Sequence, residues 1–136
     1  MESGVTDDYE RLNKPELHAM ADLLLIEDPE AIAWCVRFVA ADTRGWWHNR
    51  ARAMMCRRMK HCPLDDKQRS ILVACIVERL QSGIFDEQFR DQLRFALKVD
   101  RQRVISAAHE ILTGKSAAKQ KEHVYRFALW TLRNHG

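Results

Sequence analysis

The residues best placed to do chemistry lie between Arg44 and His61. This segment holds six bases (Arg44, Arg50, Arg52, Arg57, Arg58 and Lys60), the adjacent pair Trp46-Trp47, and no acidic residue. On a helix advancing about 100° per residue, Trp46, Arg50, Arg57, Lys60 and His61 fall in one sector, whereas Trp47, Ala51, Met55 and Met59 fall on the other side. Two adjacent indoles cannot both face a core, so the phase assigns Trp47 to the interior and Trp46 to the surface among the arginines. A cationic face carrying an aromatic can hold phosphates and stack on a base. It can equally dock an acidic protein surface through Trp and Arg anchors. A third reading is a solvated face neutralised inside the fold by the many Asp and Glu residues of the first third. The five residues Trp46, Arg50, Arg57, Lys60 and His61 are therefore the candidate binding set.

Other chemistry finds less support. Arg58 falls in the apolar sector of the same segment, where a guanidinium needs a carboxylate such as Asp22, Glu27 or Glu30, or must extend its stem to the edge. Cys56, His61 and Cys62, with His48 one or two turns back, do not have the knuckle spacing that a structural zinc site uses, so no metal is expected. Thr113-Gly114-Lys115-Ser116 resembles the end of a phosphate-binding loop, but His109 stands where that motif requires glycine and a helix precedes it where a strand is required. The six histidines are scattered, and the sequence has no nucleophile elbow, no His-Glu-x-x-His pair and no Gly-rich dinucleotide turn. It assigns no catalytic residue and no cofactor, and the expectation is a protein that is not an enzyme.

The elements that would carry these residues are helical. Asn13-Lys14-Pro15-Glu16 and Asp28-Pro29-Glu30 each place a proline in a first turn behind a capping side chain. The first helix should bury Leu17, Met20, Ala21, Leu24 and Leu25, and the second should run to about Ala41 with Ile32, Cys35, Val36 and Val39 inward. A third helix is predicted from Trp46 to about His61, ahead of Pro63. Asp65 with Gln68 forms a capping-box signature, so a fourth helix should span Asp66 to Gln81 and stop at Gly83. The apolar run Ile71–Val77 belongs to that helix rather than to a strand, since polar helix formers flank it and no turn residue bounds it. Asp86 and Asp100 open two more, the latter ending at Thr113-Gly114, and a seventh begins between Ser116 and Glu122 and ends near Asn134.

Three of these start signals, Asp28, Asp65 and Asp100, stand 37 and 35 residues apart. The inward triplets Ala51/Met55/Met59, Phe89/Leu93/Leu97 and Val124/Ala128/Leu132 keep nearly the same interval, which points to stacked helical hairpins at about 28–61, 65–99 and 100–134. Asp100 to Leu112 followed by His123-Val124-Tyr125-Arg126-Phe127-Ala128-Leu129-Trp130-Thr131-Leu132 resembles the HEAT-type α-solenoid repeat. The resemblance covers about residues 28–134 and is best in the last pair, since the first has Arg50-Ala51-Arg52-Ala53 and the second Phe89-Arg90. It implies an all-α, right-handed superhelix fragment of about seven helices in antiparallel pairs that binds proteins or, in some members, nucleic acid. A compact helical bundle is the alternative. Some HEAT-like proteins are DNA glycosylases with aromatic and acidic residues in a basic groove. Trp46 near Asp42 is the nearest counterpart here, and no motif of theirs matches residue by residue.

Composition agrees with one folded domain over residues 1–136, with 1–13 as a flexible end. At 136 residues, 46% hydrophobic and 30% charged, with 5 Gly and 3 Pro, the chain is neither collagenous nor of low complexity. Its longest apolar run is far short of the ~20 residues that span a bilayer, and no basic leader followed by an apolar stretch opens it. A cytoplasmic protein with reduced cysteines and no membrane partner is expected. Residues 1–42 carry 10 acids and 3 bases, net −7, and residues 43–136 carry 9 acids and 19 bases, net +10. The expected function is a protein-interaction or scaffold module, self-association included, with a nucleic-acid-binding module using the basic face of 44–61 as the alternative.

Overall fold

The computed structural model describes residues 9–114 and 121–135. Among them are seven α-helices and no strand. They are α1 (Lys14–Leu23), α2 (Pro29–Ala40), α3 (His48–Met59), α4 (Asp66–Ser82), α5 (Arg90–Val99), α6 (Arg101–Thr113) and α7 (Glu122–His135). The start signals act through the hydrogen bonds expected of them. Asn13 and Glu16 cap each other reciprocally, as do Asp65 and Gln68, and the Asp28 and Asp100 carboxylates accept from Ala31 N and Arg103 N. Gly83 ends α4 in the left-handed region at φ 79°, where a side chain would be strained. The run Ile71–Val77 is helical, with Leu72, Val73 and Ile76 buried.

Helices that follow one another pack as pairs, α2 with α3, α4 with α5 and α6 with α7, and the pairs stack into two rows. The first helices α2, α4 and α6 form one row and the second helices α3, α5 and α7 the other. α1 packs against α3 and so takes the second-helix place of a pair that precedes α2. Hydrogen bonds record the same interval. His48 Nε2 reaches Leu12 O, Cys62 Sγ reaches Leu24 O, Arg79 reaches Ala41 O, Lys98 Nζ reaches Lys60 O and His123 Nε2 reaches Gly83 O, spans of 36, 38, 38, 38 and 40 residues. These bonds join residues separated by about the interval between the helix starts Asp28, Asp65 and Asp100.

The core runs between the rows, with Phe38, Phe89, Phe95 and Phe127 among its largest fully buried side chains. Cys35 and Cys56 sit within it, and burial pushes both thiols up to about 12, which removes them as nucleophiles near neutral pH. Among the described residues no helix is long and apolar enough to cross a membrane.

Four expectations need correction. Residues 1–8 lie outside the described part, but the end of the fold is not loose from Tyr9 onward: Tyr9–Arg11 form a 3-10 turn, and the Tyr9 ring is buried edge-on against Trp34 and Phe38. Leu25 is exposed rather than inward, because the chain tightens to a 3-10 turn at Leu24–Ile26 and leaves the α-helical phase. The third helix starts at His48, two residues late, since Trp47 is left-handed at φ 72° and supplies no side-chain cap. Consequently Trp47 is only half-buried, stacked on His18 and beneath the Lys14 ammonium, while Trp46 is 76% exposed. Replacing Trp46 with alanine should change stability by less than ~0.5 kcal/mol. Trp47→Ala should fall between that and the ~3–5 kcal/mol of a fully buried aromatic, and equal melting losses in the two variants would contradict this placement.

Candidate functional site

Of the five candidate residues, the structure keeps three on one side of α3 and its C-terminal turn. Arg50, Arg57 and His61 are exposed there, and Lys60 is half-buried at the C-cap. Trp46 leaves the sector, because the left-handed residue after it breaks the helical phase from which its position was projected. Arg57 is engaged by Asp91 of α5 at 2.7 Å, not by the acidic first third. Arg58 is the arginine that reaches that third, pairing with Asp22 of α1 at 3.1 Å. Burial would raise the Asp22 carboxyl, but hydrogen bonds from Arg58 and His18 outweigh it and hold the group below its ordinary value. Among the described residues the acidic segment therefore meets the basic body in the Arg58–Asp22 pair at the α1–α3 contact.

The basic face extends beyond α3. On α5, Arg90, Arg94 and Lys98 recur every four residues, and on α7 Arg126, Trp130 and Arg133 do nearly the same. These side chains interlock. Asp91 bridges Arg57 and Arg94, Glu87 bridges Arg126 and Arg90, and the Arg90 and Arg94 guanidiniums lie 5.6 and 5.5 Å from the centre of the Trp130 ring. The periodic arginines of α5 and α7 were legible as sequence, and only their meeting with α3 on one surface required the fold.

A second feature fixes the loop between α2 and α3. Arg52, 3% exposed, donates to Asn49 Oδ1, to the Ala41 and Thr43 carbonyls and to the Thr43 hydroxyl, with its guanidinium over the Phe38 ring. Burial, with Arg79 nearby, pulls its pKa down to about 10, so it stays charged near neutral pH. The chain of donors continues. Leu12 O can only accept, so His48 Nε2 donates to it (3.0 Å), and Nδ1 is hydrogen-bonded to the Thr43 hydroxyl (2.7 Å), which itself accepts from Arg52. Arg52, not Arg58, is the buried arginine of this helix; carbonyl, amide and hydroxyl oxygens rather than a carboxylate satisfy its two terminal nitrogens, and its buried Nε has no hydrogen-bond partner among the described residues.

Among the described residues no three His, Cys, Asp or Glu side chains gather as a metal group would. Cys56 is fully enclosed, His48 is committed to Thr43 and Leu12, and His61 points to solvent. Lys115 and Ser116 of the loop-like tetrapeptide lie outside the described residues. On the first-helix row a depression of about 310 Å³ is lined by Asp42, Cys75, Glu78 and Arg79. The Cys75 thiol there is raised by burial and faces the Ala40 carbonyl, which suits packing rather than attack. Comparison with protein-family models, with curated proteins and with solved structures finds no match to this chain.

Proposed function

We propose that this chain is a non-enzymatic helical-repeat module of HEAT-like type, working in the cytoplasm, that docks an anionic macromolecular partner on its row of second helices. The observation that carries the reading is the linked set of arginines on α3, α5 and α7, in which Glu87 and Asp91 each hold two arginines in place and so cannot neutralise the face. Charge of one sign spread over neighbouring helices steers an oppositely charged surface and fixes its register. An acidic protein, including the acidic first third of a second copy, is one such partner, and a nucleic acid is the other.

The test uses charge reversal with a matched control. Arg50→Glu with Arg57→Glu alters the face, whereas Lys67→Glu with Arg103→Glu makes the same change in net charge at exposed positions on the first-helix row. Exposed ion pairs contribute ~0–1 kcal/mol each, so both variants should melt within a few degrees of the parent. Retention on immobilised anionic polymers (polyglutamate and single-stranded DNA) at about 150 mM salt should be lost in the first variant and kept in the second. Equal retention of the two, or a first variant that is destabilised yet still retained, would remove the face from the account.

A further inference from the structure

The last helical pair leaves an apolar side uncovered at the end of the stack. On α7, Phe127 and Trp130 face α5, where they meet Phe89 and the guanidiniums of Arg90 and Arg94. Tyr125, Leu129 and Leu132 lie roughly 160° round the same helix, with Tyr125 42% exposed and the two leucines half-buried. On α6, Arg103 adjoins Ser70 and Val73 of α4, and the half-buried Ile105 and Leu112 lie roughly 160–180° round from it. Both stripes therefore point away from the preceding pair. Val73 of α4, on the side that faces α6, is buried, so an interior pair covers what this last pair leaves open. A repeat array that ends in solvent needs a polar outer face at its last pair, and here that face is apolar along both helices.

We infer that two copies of the chain associate through this end, α7 lying antiparallel on α7 of the other copy about a two-fold axis. The surface is distinct from the docking row and uses neither Arg50 nor Arg57. Charge and apolar pattern select the same partner. Glu122 opens α7 and Arg133 lies in its last turn, both exposed and neither ion-paired within the described residues. The midpoint between Glu122 and Arg133 and the midpoint between Tyr125 and Leu132 both fall beside Ala128. A two-fold axis there sets Tyr125 against Leu132 of the other copy and, in the same register, Glu122 against Arg133, each contact occurring twice as such symmetry requires. A partner of one charge would match only one end of the stripe. The opposite end of the stack exposes Leu25 and Ile26, but Glu27 and Glu30 adjoin them in sequence, so a symmetric contact there sets like charges together. Because α7 pairs with α7, the second-helix rows of the two copies face the same way.

Sedimentation velocity on the full chain at about 10–200 µM, the range in which a contact of modest area associates, should show a species of twice the chain mass whose fraction rises with concentration. Tyr125→Glu should leave a monomer with the helical circular dichroism of the parent. Glu122→Arg or Arg133→Glu alone should weaken association about ten-fold, since each sets like charges together at two symmetric places. The chain carrying both changes should return to within about two-fold of the parent, because the pair is then restored with its signs exchanged. Should Tyr125→Glu fail to fold, this exchange of charges decides the matter. Leu25→Ser with Ile26→Ser, and Arg50→Glu with Arg57→Glu, should leave the dimer unchanged. A parent that stays monomeric over the whole range, or a double exchange as weak as either single reversal, overturns the inference. A dimer that survives Tyr125→Glu but is lost in either control variant also overturns it, since the contact then lies at the other end of the stack or on the basic row. Retention on anionic polymers is measured separately, so the docking proposal survives a failure here.

Discussion

Replacing Arg52 with alanine is expected to cost roughly 3–5 kcal/mol, a large part of the ~5–15 kcal/mol that holds a domain of this kind folded. Its guanidinium donates to two carbonyls, a hydroxyl and an amide oxygen around the α2–α3 loop. Ala41 O keeps a second donor in Arg79, but Thr43 O and the Thr43 hydroxyl lose theirs inside a region that water does not reach. A buried acceptor left without its donor costs ~1–3 kcal/mol, and the stem packed on Phe38 is lost as well. Arg52→Lys should be intermediate, because an ammonium keeps the charge but cannot reach acceptors on both sides of a planar fork. Urea unfolding of Arg52→Ala beside Arg50→Ala, which should change stability by less than ~0.5 kcal/mol, measures the difference. A loss below about 1 kcal/mol in the Arg52 variant would show that the loop does not depend on this arginine.

The second large effect is expected at Gly45. A Cβ there would overlap His48 Nε2 and stand 2.6 Å from Cε1. The imidazole cannot swing aside freely, since its two nitrogens are bonded to Thr43 and Leu12 and the ring is 1% exposed against Phe38. Gly45→Ala should therefore cost about 1–3 kcal/mol as an overpacking substitution. The cost should nearly vanish when His48 is alanine too, because the atoms that the methyl group meets are then gone. Such non-additivity in a double-mutant cycle separates this cause from a general requirement for glycine in the loop. An additive pair would place the glycine's role in the backbone instead.

Much of the architecture was legible because short-range chemistry and the long-range fold agree. Asn13, Asp28, Asp65 and Asp100 each accept from a backbone N–H three residues on. Those bonds are local, so residue type and spacing suffice to place them. The start of α3 was misread because no such bond exists there: Trp47 occupies the N-cap without a capping oxygen. The candidate site was legible in part for a related reason. Helical phase locates Arg50 and Arg57 on one side of α3, but it cannot show that carbonyls from residues 41 and 43 fold over Arg52, which read as one more member of a basic run. Nor can phase join α3 to α5 and α7. The repeated arginines of those helices are visible in the chain, yet that Arg126 meets Glu87 and that Arg90 and Arg94 meet Trp130 depends on pairing residues 36 to 40 apart.

The bonds that tie each helix to the one about a repeat away also bear on the molecule's mechanics. α1 has α2 and α3 as its main helical neighbours, whereas α4 and α5 are packed from both directions along the stack. In a repeat array of the kind proposed, energy is held mostly between nearest neighbours, so strain applied at one end is relaxed within a pair or two rather than shared by the whole. Amide exchange should accordingly be slowest in α4 and α5 and faster in α1, each segment opening with its own free energy. Small rotations at successive interfaces also add, in the manner of a short spring. Bending of that kind would alter the distances from Arg57 through Arg94 to Trp130 while leaving each helix intact.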